Sequence, residues 1–124
     1  MSAPEELLAL HLRAHKLEVE PEYRFGAIAA GGPGKGLRER LKLAGLRDWR
    51  FDFAMPAHRL AVEVEGGGWT GGRHTRGTGF AEDMAKYDAA MRLGWTIYRC
   101  DPAMVKSGRA IETIKLILEM RAAA

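Results

Sequence analysis

Residues 49–65, WRFDFAMPAHRLAVEVE, constrain this chain more than any other stretch. Trp49, Phe51, Phe53 and Met55 alternate with Arg50, Asp52 and Ala54, and Leu60, Val62 and Val64 alternate with Ala61, Glu63 and Glu65. Period-two alternation of this kind specifies half-buried strands, and Pro56 to Arg59 supply the turn between them. If that four-residue loop closes Met55 onto Leu60, Asp52 falls opposite Glu63 and Arg50 opposite Glu65. Facing carboxylates destabilise a strand pair by a few tenths to about 1 kcal/mol. A hard cation reverses the sign, because Mg²⁺ is usually held by one or two carboxylates with water and phosphate. A solvated polar face on an antiparallel sheet is the competing reading of the same acids.

The segment after the hairpin, GGGWTGGRHTRGTG (66–79), carries seven glycines, too many for a packed element. It presents Arg73, His74 and Arg76 on backbone free to approach a ligand closely. Guanidinium groups match phosphate bidentately, and an imidazole donates to a phosphate or assists a water. A plain surface loop is the alternative. A helix is expected from about Phe80 to Leu93, with Phe80, Met84, Tyr87 and Met91 as its core stripe and Gly94 ending it. Asp83 and Lys86 lie on a neighbouring face, at the spacing of a surface ion pair. WTIYRC (95–100) reads as the last strand, stopped by Asp101-Pro102. Ala110 to Arg121 close the chain as a helix, with Ile111, Ile114, Ile117 and Leu118 inward.

Upstream, Pro4 suits a first helical turn, and Glu5 and Glu6 suit the positive end of the helix dipole. This helix runs to about Lys16 with Leu7, Leu8, Leu10, Leu12 and Ala14 on a broad apolar face. His11 and His15 stand one turn apart, a zinc-compatible spacing with no third ligand in view, so a solvated pair is the stronger reading. Residues 17–25 alternate weakly, and Pro21 marks a strand from about Glu22 to Phe25 near a sheet edge. GAIAAGGPGKG (26–36) fails both phosphate-loop tests: Gly36 stands where a P-loop needs Ser or Thr, and Glu39 where a dinucleotide fold needs glycine. It reads as a flexible connector within the domain. LRERLKLAGL (37–46) then forms a short helix with Leu37 and Leu41 inward. Lys35 and Arg38 are candidates for phosphate contact, with a solvated basic face as the equal alternative.

Composition excludes several classes. The 124 residues suffice for one domain, 1–124, and 47% hydrophobic against 28% charged is a globular balance. No apolar run approaches the ~20 residues of a membrane helix, and the acidic MSAPEELL start is unlike a signal peptide. The lone Cys100 rules out an internal disulfide and a Cys-based zinc site, so the cytoplasm is the default compartment. A net charge of +3 tolerates a nucleic-acid partner.

With Asp52 on one strand and Glu63-Val64-Glu65 on the next, the chain resembles the PD-(D/E)XK nuclease superfamily. The run RFDFAMPAHRLAVEVEGGGWTGGRHTRGTGF…DMAKYDAAMRLGW is similar to a branch of small phage-type nucleases. That branch is related to very-short-patch repair endonucleases and Holliday junction resolvases. The resemblance covers about Arg50 to Arg99 closely and the N-terminal helix loosely. It implies an α/β fold with a restriction-endonuclease-like core. In it a central mixed β-sheet of about four strands is flanked by helices, in the order α-β-α-β-β-α-β-α. It implies Glu6, or second Glu5, as the helix-borne acid. Asp52, Glu63 and a main-chain carbonyl near Val64 become the ligands of Mg²⁺, with Mn²⁺ as a substitute.

Glu65 stands where the motif has lysine, so the resemblance makes it a ligand of metal or water, with Lys86 as the displaced lysine. The implied partner is DNA, as a four-way junction cut by a homodimer. The implied setting is the cytoplasm, of a bacterial host if the protein is phage-encoded. A mismatch-nicking repair endonuclease and a non-catalytic DNA-binding module on the same fold are the rivals.

Overall fold

A computed structural model of the protein describes residues 1–66 and 78–124, and Arg73, His74 and Arg76 lie outside the described residues. Helix α1 (Ala3–Ala14) starts on a reciprocal cap. The Glu5 N–H donates to Ser2 Oγ at 3.3 Å, and the Glu5 carboxylate accepts from the Ser2 N–H and hydroxyl. Leu8 and Leu12 are fully buried on its inner face. The helix stops two residues short of the expected Lys16, which takes a left-handed φ of 57°. Strand β1 (Glu20–Tyr23) begins two residues earlier than its sequence pattern suggests, because Phe25 is drawn into a short helix, α2 (Phe25–Ala29).

The expected connector 26–36 is therefore helical in its first part. The rest is fastened by Arg40 of α3 (Leu37–Ala44), whose Nη1 donates to the Ala30 and Gly32 carbonyls at 2.7 Å and whose Nη2 donates to that of Lys35 at 3.0 Å. Gly26 is needed where it stands: a Cβ there would lie 1.9 Å from the Arg47 carbonyl oxygen.

The hairpin is β2 (Phe51–Met55) and β3 (Leu60–Val64), joined by a 3-10 turn at Pro56–His58. Met55 pairs with Leu60 and Phe53 with Val62, the register that loop length and alternation predict. Helix α4 (Thr78–Arg92) leads to β4 (Thr96–Cys100), which lies parallel to β3 from Leu60↔Thr96 to Val64↔Cys100. The Asp101-Pro102 pair that ends β4 also starts a further helix, α5 (Pro102–Lys106), because the Asp101 side chain caps the Met104 N–H at 2.9 Å. Helix α6 (Arg109–Ala123) follows, with Ile111 and Ile114 buried as expected. The sheet order is β1-β2-β3-β4, with β1 at an edge as Pro21 requires. The protein is thus α/β, with an open, mixed four-stranded sheet flanked by helices. Among the described residues no helix is long and apolar enough to cross a membrane.

Two cores cover the sheet. Leu8, Leu12, Val105, Ala110, Ile111 and Ile114 pack on Phe53, Met55, Leu60, Val62 and Val64. On the other side Phe25, Ala90 and Trp95 pack with Phe51, Ala54 and Ala61. The hairpin is therefore buried on both faces, not half-buried. Ala54 and Ala61 alternate with the large residues as a polar face would, yet they are small enough for helices to close over them.

Helix α4 corrects a second expectation. Phe80, Met84 and Met91 were the predicted core stripe, but they are 54%, 44% and 60% exposed, and only Tyr87 of that set turns partly inward. Ala90 makes the inner contact instead, since a sheet surface of alanines admits a small residue closely.

Candidate functional site

Ladder pairing between β2 and β3 ends at Phe53↔Val62. Beyond that point Asp52 and Glu63 are linked through their side chains, which take the place of the ladder. The Asp52 N–H donates to Glu63 Oε2 at 2.8 Å, and the Val64 N–H donates to Asp52 Oδ2 at 2.8 Å. Each strand thereby satisfies the other's backbone donor with a carboxylate, a charge-assisted bond stronger than the amide pairing it displaces. Strand alternation also breaks here, because Phe51 joins the Trp95 core while Phe53 joins the opposite one.

Glu63 is 5% exposed, the one charged residue among the buried side chains described. Burial on that scale demands a partner, and α4 delivers it. Lys86 Nζ lies 2.5 Å from Glu63 Oε1, which also accepts from the Tyr87 hydroxyl at 3.2 Å. Lys86 therefore pairs across the fold with Glu63, not along its helix with Asp83. Tyr87 bridges to Glu65 Oε1 at 3.2 Å, and Arg99 Nε donates to the same oxygen at 2.8 Å. The Arg99 guanidinium lies 4.6 Å from the centre of the Tyr87 ring, which adds a cation–π contact. Arg50, expected opposite Glu65, instead lies 3.9 Å from Glu22.

A third carboxylate group gathers beside Asp52. Carboxylate oxygens of Glu5, Glu22 and Asp52 all fall within 4.8 Å of one another. Glu5 arrives from the first turn of α1, and Glu22 from the edge strand in register with Asp52. Glu22 takes a φ of 50°, a left-handed conformation that costs a non-glycine residue about 1–2 kcal/mol. The Asp52 carboxyl is pushed up from its ordinary 3.8 to about 7. Burial is the main cause; the charges of Glu63 and Glu5 add to it, while the Val64 N–H and Lys86 oppose it. Burial and the neighbouring Glu63 and Glu65 likewise push the Tyr87 phenol up, which keeps it a hydrogen-bond donor.

Asp52, Glu63, Glu65 and Lys86 thus converge at one end of the hairpin. Of the two helix acids, Glu5 joins them, whereas Glu6, ranked first from the sequence, is exposed and outside the cluster. The helix turn explains this: Glu6 lies about 100° around from Glu5. Val64 contributes its N–H to Asp52. Lys35 and Arg38 are exposed at the start of α3. His11 and His15 do not form a ring pair; His15 Nδ1 lies 2.9 Å from the His11 carbonyl oxygen.

Sequence reasoning missed Glu22, Tyr87 and Arg99. A signal existed for Arg99, a charge inside the apolar strand WTIYRC, and for Tyr87, which adjoins Lys86. Glu22 depends on how β1 docks, which no local pattern encodes. The chain matches no family model, no curated protein and no solved structure.

Proposed function

We propose that the protein is a Mg²⁺-dependent endodeoxyribonuclease with a restriction-endonuclease-like core of the PD-(D/E)XK type. The observation that carries this reading is the reach of Lys86 from α4 to Glu63, immediately beside Asp52. Two acids and a lysine from three separate elements meet there, as phosphodiester hydrolysis needs.

The donor set fits a hard cation. Glu5, Glu22 and Asp52 offer only oxygen, the donor that Mg²⁺ prefers, and their carboxylate oxygens lie within 4.8 Å of one another. These three would hold Mg²⁺, or Mn²⁺ in its place, and Glu63 would join them only by giving up Lys86. The ion would supply charge neutralisation, polarise a phosphoryl oxygen and acidify a bound water.

The side chains have distinct tasks in this scheme. Lys86 offsets negative charge that develops on the phosphorus oxygens. Glu65, fixed by Arg99 and Tyr87, accepts a hydrogen bond from the attacking water and orients it in line. Glu63 sets the position of Lys86 and ties the two strands together.

The substrate we favour is the four-way DNA junction, cut by paired nicks in a homodimer. A domain of this size has little surface for base-specific readout, so shape and backbone contacts dominate. A mismatch-nicking enzyme acting as a monomer is the alternative. A non-catalytic DNA-binding module also draws support from one observation: Glu63 and Glu65 are already engaged by Lys86, Tyr87 and Arg99. Incubation of the protein with junction, duplex and mismatched duplex, with and without Mg²⁺, separates these readings. Symmetric paired nicks in the junction support the resolvase. Single nicks at mismatches support the repair enzyme, and binding without cleavage supports the module.

A further inference from the structure

The cations around α3 divide into two groups. Arg24 pairs with Asp48 at 2.6 Å, and Arg47 with Glu82 at 2.5 Å. Arg40 is turned inward onto the carbonyls of the 30–35 loop. Lys35, Arg38 and Lys42 have no carboxylate within ion-pair distance among the described residues. Residues 67–77 contain no Asp or Glu to supply one. All three are exposed; Arg38 and Lys42 stand one turn apart on α3, and Lys35 precedes the helix in the loop that Arg40 fastens.

Like charges one turn apart on a helix repel by a few tenths of a kcal/mol, and a polyanion laid along such a row relieves that repulsion. The row is also held in place. Arg40 makes three bonds to the loop, one of them to the carbonyl of Lys35 itself. The C-terminal end of the row meets the helix that carries Lys86: Lys42 lines a cleft with Arg47 and with Glu82 and Ala85 of α4.

We propose that the 30–36 loop and α3 form a preformed surface for the sugar–phosphate backbone of duplex DNA. Lys35, Arg38 and Lys42 each meet a phosphate, and Arg40 is the positioning residue that fixes the loop. The surface leads the duplex toward Lys86. This inference rests on DNA being the ligand, and it extends the nuclease reading by naming the track that holds the duplex arms.

The test is equilibrium binding of labelled duplex and four-way junction in EDTA across a range of salt concentrations. EDTA keeps binding separate from cleavage. Removing three phosphate contacts lowers the slope of log K against log salt by about 2–3, at ~0.9 per contact. The triple variant Lys35→Gln, Arg38→Gln, Lys42→Gln is expected to show that loss. An equal-charge control on exposed cations away from α3, Arg92→Gln, Lys106→Gln, Lys115→Gln, is expected to change the slope by less than about 1. Arg40→Lys keeps the charge but loses the planar fork, and is expected to weaken binding with the thermal midpoint retained.

An unchanged slope in the first triple variant overturns the proposal. So does an equal loss in the control, or binding to phosphatidylserine vesicles in place of DNA. A slope change without any Mg²⁺-dependent cleavage leaves this surface standing and removes the nuclease reading. Cleavage with an unchanged slope does the reverse.

Discussion

Asp52 is expected to destabilise the metal-free protein, and Asp52→Asn tests this directly. The unfolded chain releases the Asp52 proton near its ordinary 3.8, whereas the folded protein releases it near 7. Between those values the unfolded chain binds fewer protons, so stability falls as pH rises through the window. A displacement of that size is worth about 4 kcal/mol for a group wholly out of water. Asp52 is only partly buried, and solvent screening reduces the expected cost to about 2 kcal/mol. Asparagine keeps an acceptor for the Val64 N–H and removes the charge that Glu63 and Glu5 oppose. Urea unfolding in EDTA near pH 8 should therefore show the variant more stable than wild type, by a midpoint shift of roughly 1 M for a slope typical of small domains. The difference should shrink toward zero as pH approaches about 4. Saturating Mg²⁺ should then stabilise wild type by about 2–3 kcal/mol at a hundred times Kd and leave the variant nearly unmoved. An Asp52→Asn protein that is less stable than wild type at both pH values, or that gains equally from Mg²⁺, would refute the reasoning.

Lys86→Met leaves Glu63 buried without its cation, which should cost about 3–5 kcal/mol in urea unfolding. Adding Glu63→Gln should restore much of that stability while leaving the protein unable to cleave. Gly26→Ala forces a methyl group against the Arg47 carbonyl, and a loss of more than about 3 kcal/mol or failure to fold is expected by thermal melting. Glu5→Gln should weaken Mg²⁺ binding in calorimetry and loosen the α1 cap by about 0.5–1 kcal/mol, whereas Glu6→Gln should stay within about 0.5 kcal/mol of wild type in both.

The hairpin was legible because two local features fix it together. Loop length sets Met55 against Leu60, and alternation then carries the register to Phe53 against Val62, the pair next to Asp52 and Glu63. The face of α4 was not legible. Phe80, Met84 and Met91 have the spacing of a core stripe, but the surface they would meet is made of Ala54 and Ala61, and Ala90 fits it better. Helices α2 and α5 are five residues each, too short to show a helical period. At the site, the proximity of Asp52 and Glu63 followed from strand arithmetic, but the bonds each carboxylate makes to the other strand's N–H did not. The grouping of Glu5 and Glu22 around Asp52 follows from how α1 and β1 dock on the sheet, a tertiary fact. Likewise, the Lys86–Glu63 pair joins residues 23 apart whose meeting depends on the angle of α4.

The proposed hydrolysis of DNA at the end of the hairpin depends on its acids and on Lys86. Single-turnover cleavage of a four-way junction in Mg²⁺, by wild type, Asp52→Asn, Lys86→Met and Glu6→Gln, tests it most directly. Cleavage is expected from wild type and Glu6→Gln, with rates lowered at least about 100-fold in Asp52→Asn and Lys86→Met, the scale of losing one electrostatic group. Wild-type rates in Asp52→Asn and Lys86→Met, or cleavage that persists unchanged in EDTA, would contradict it.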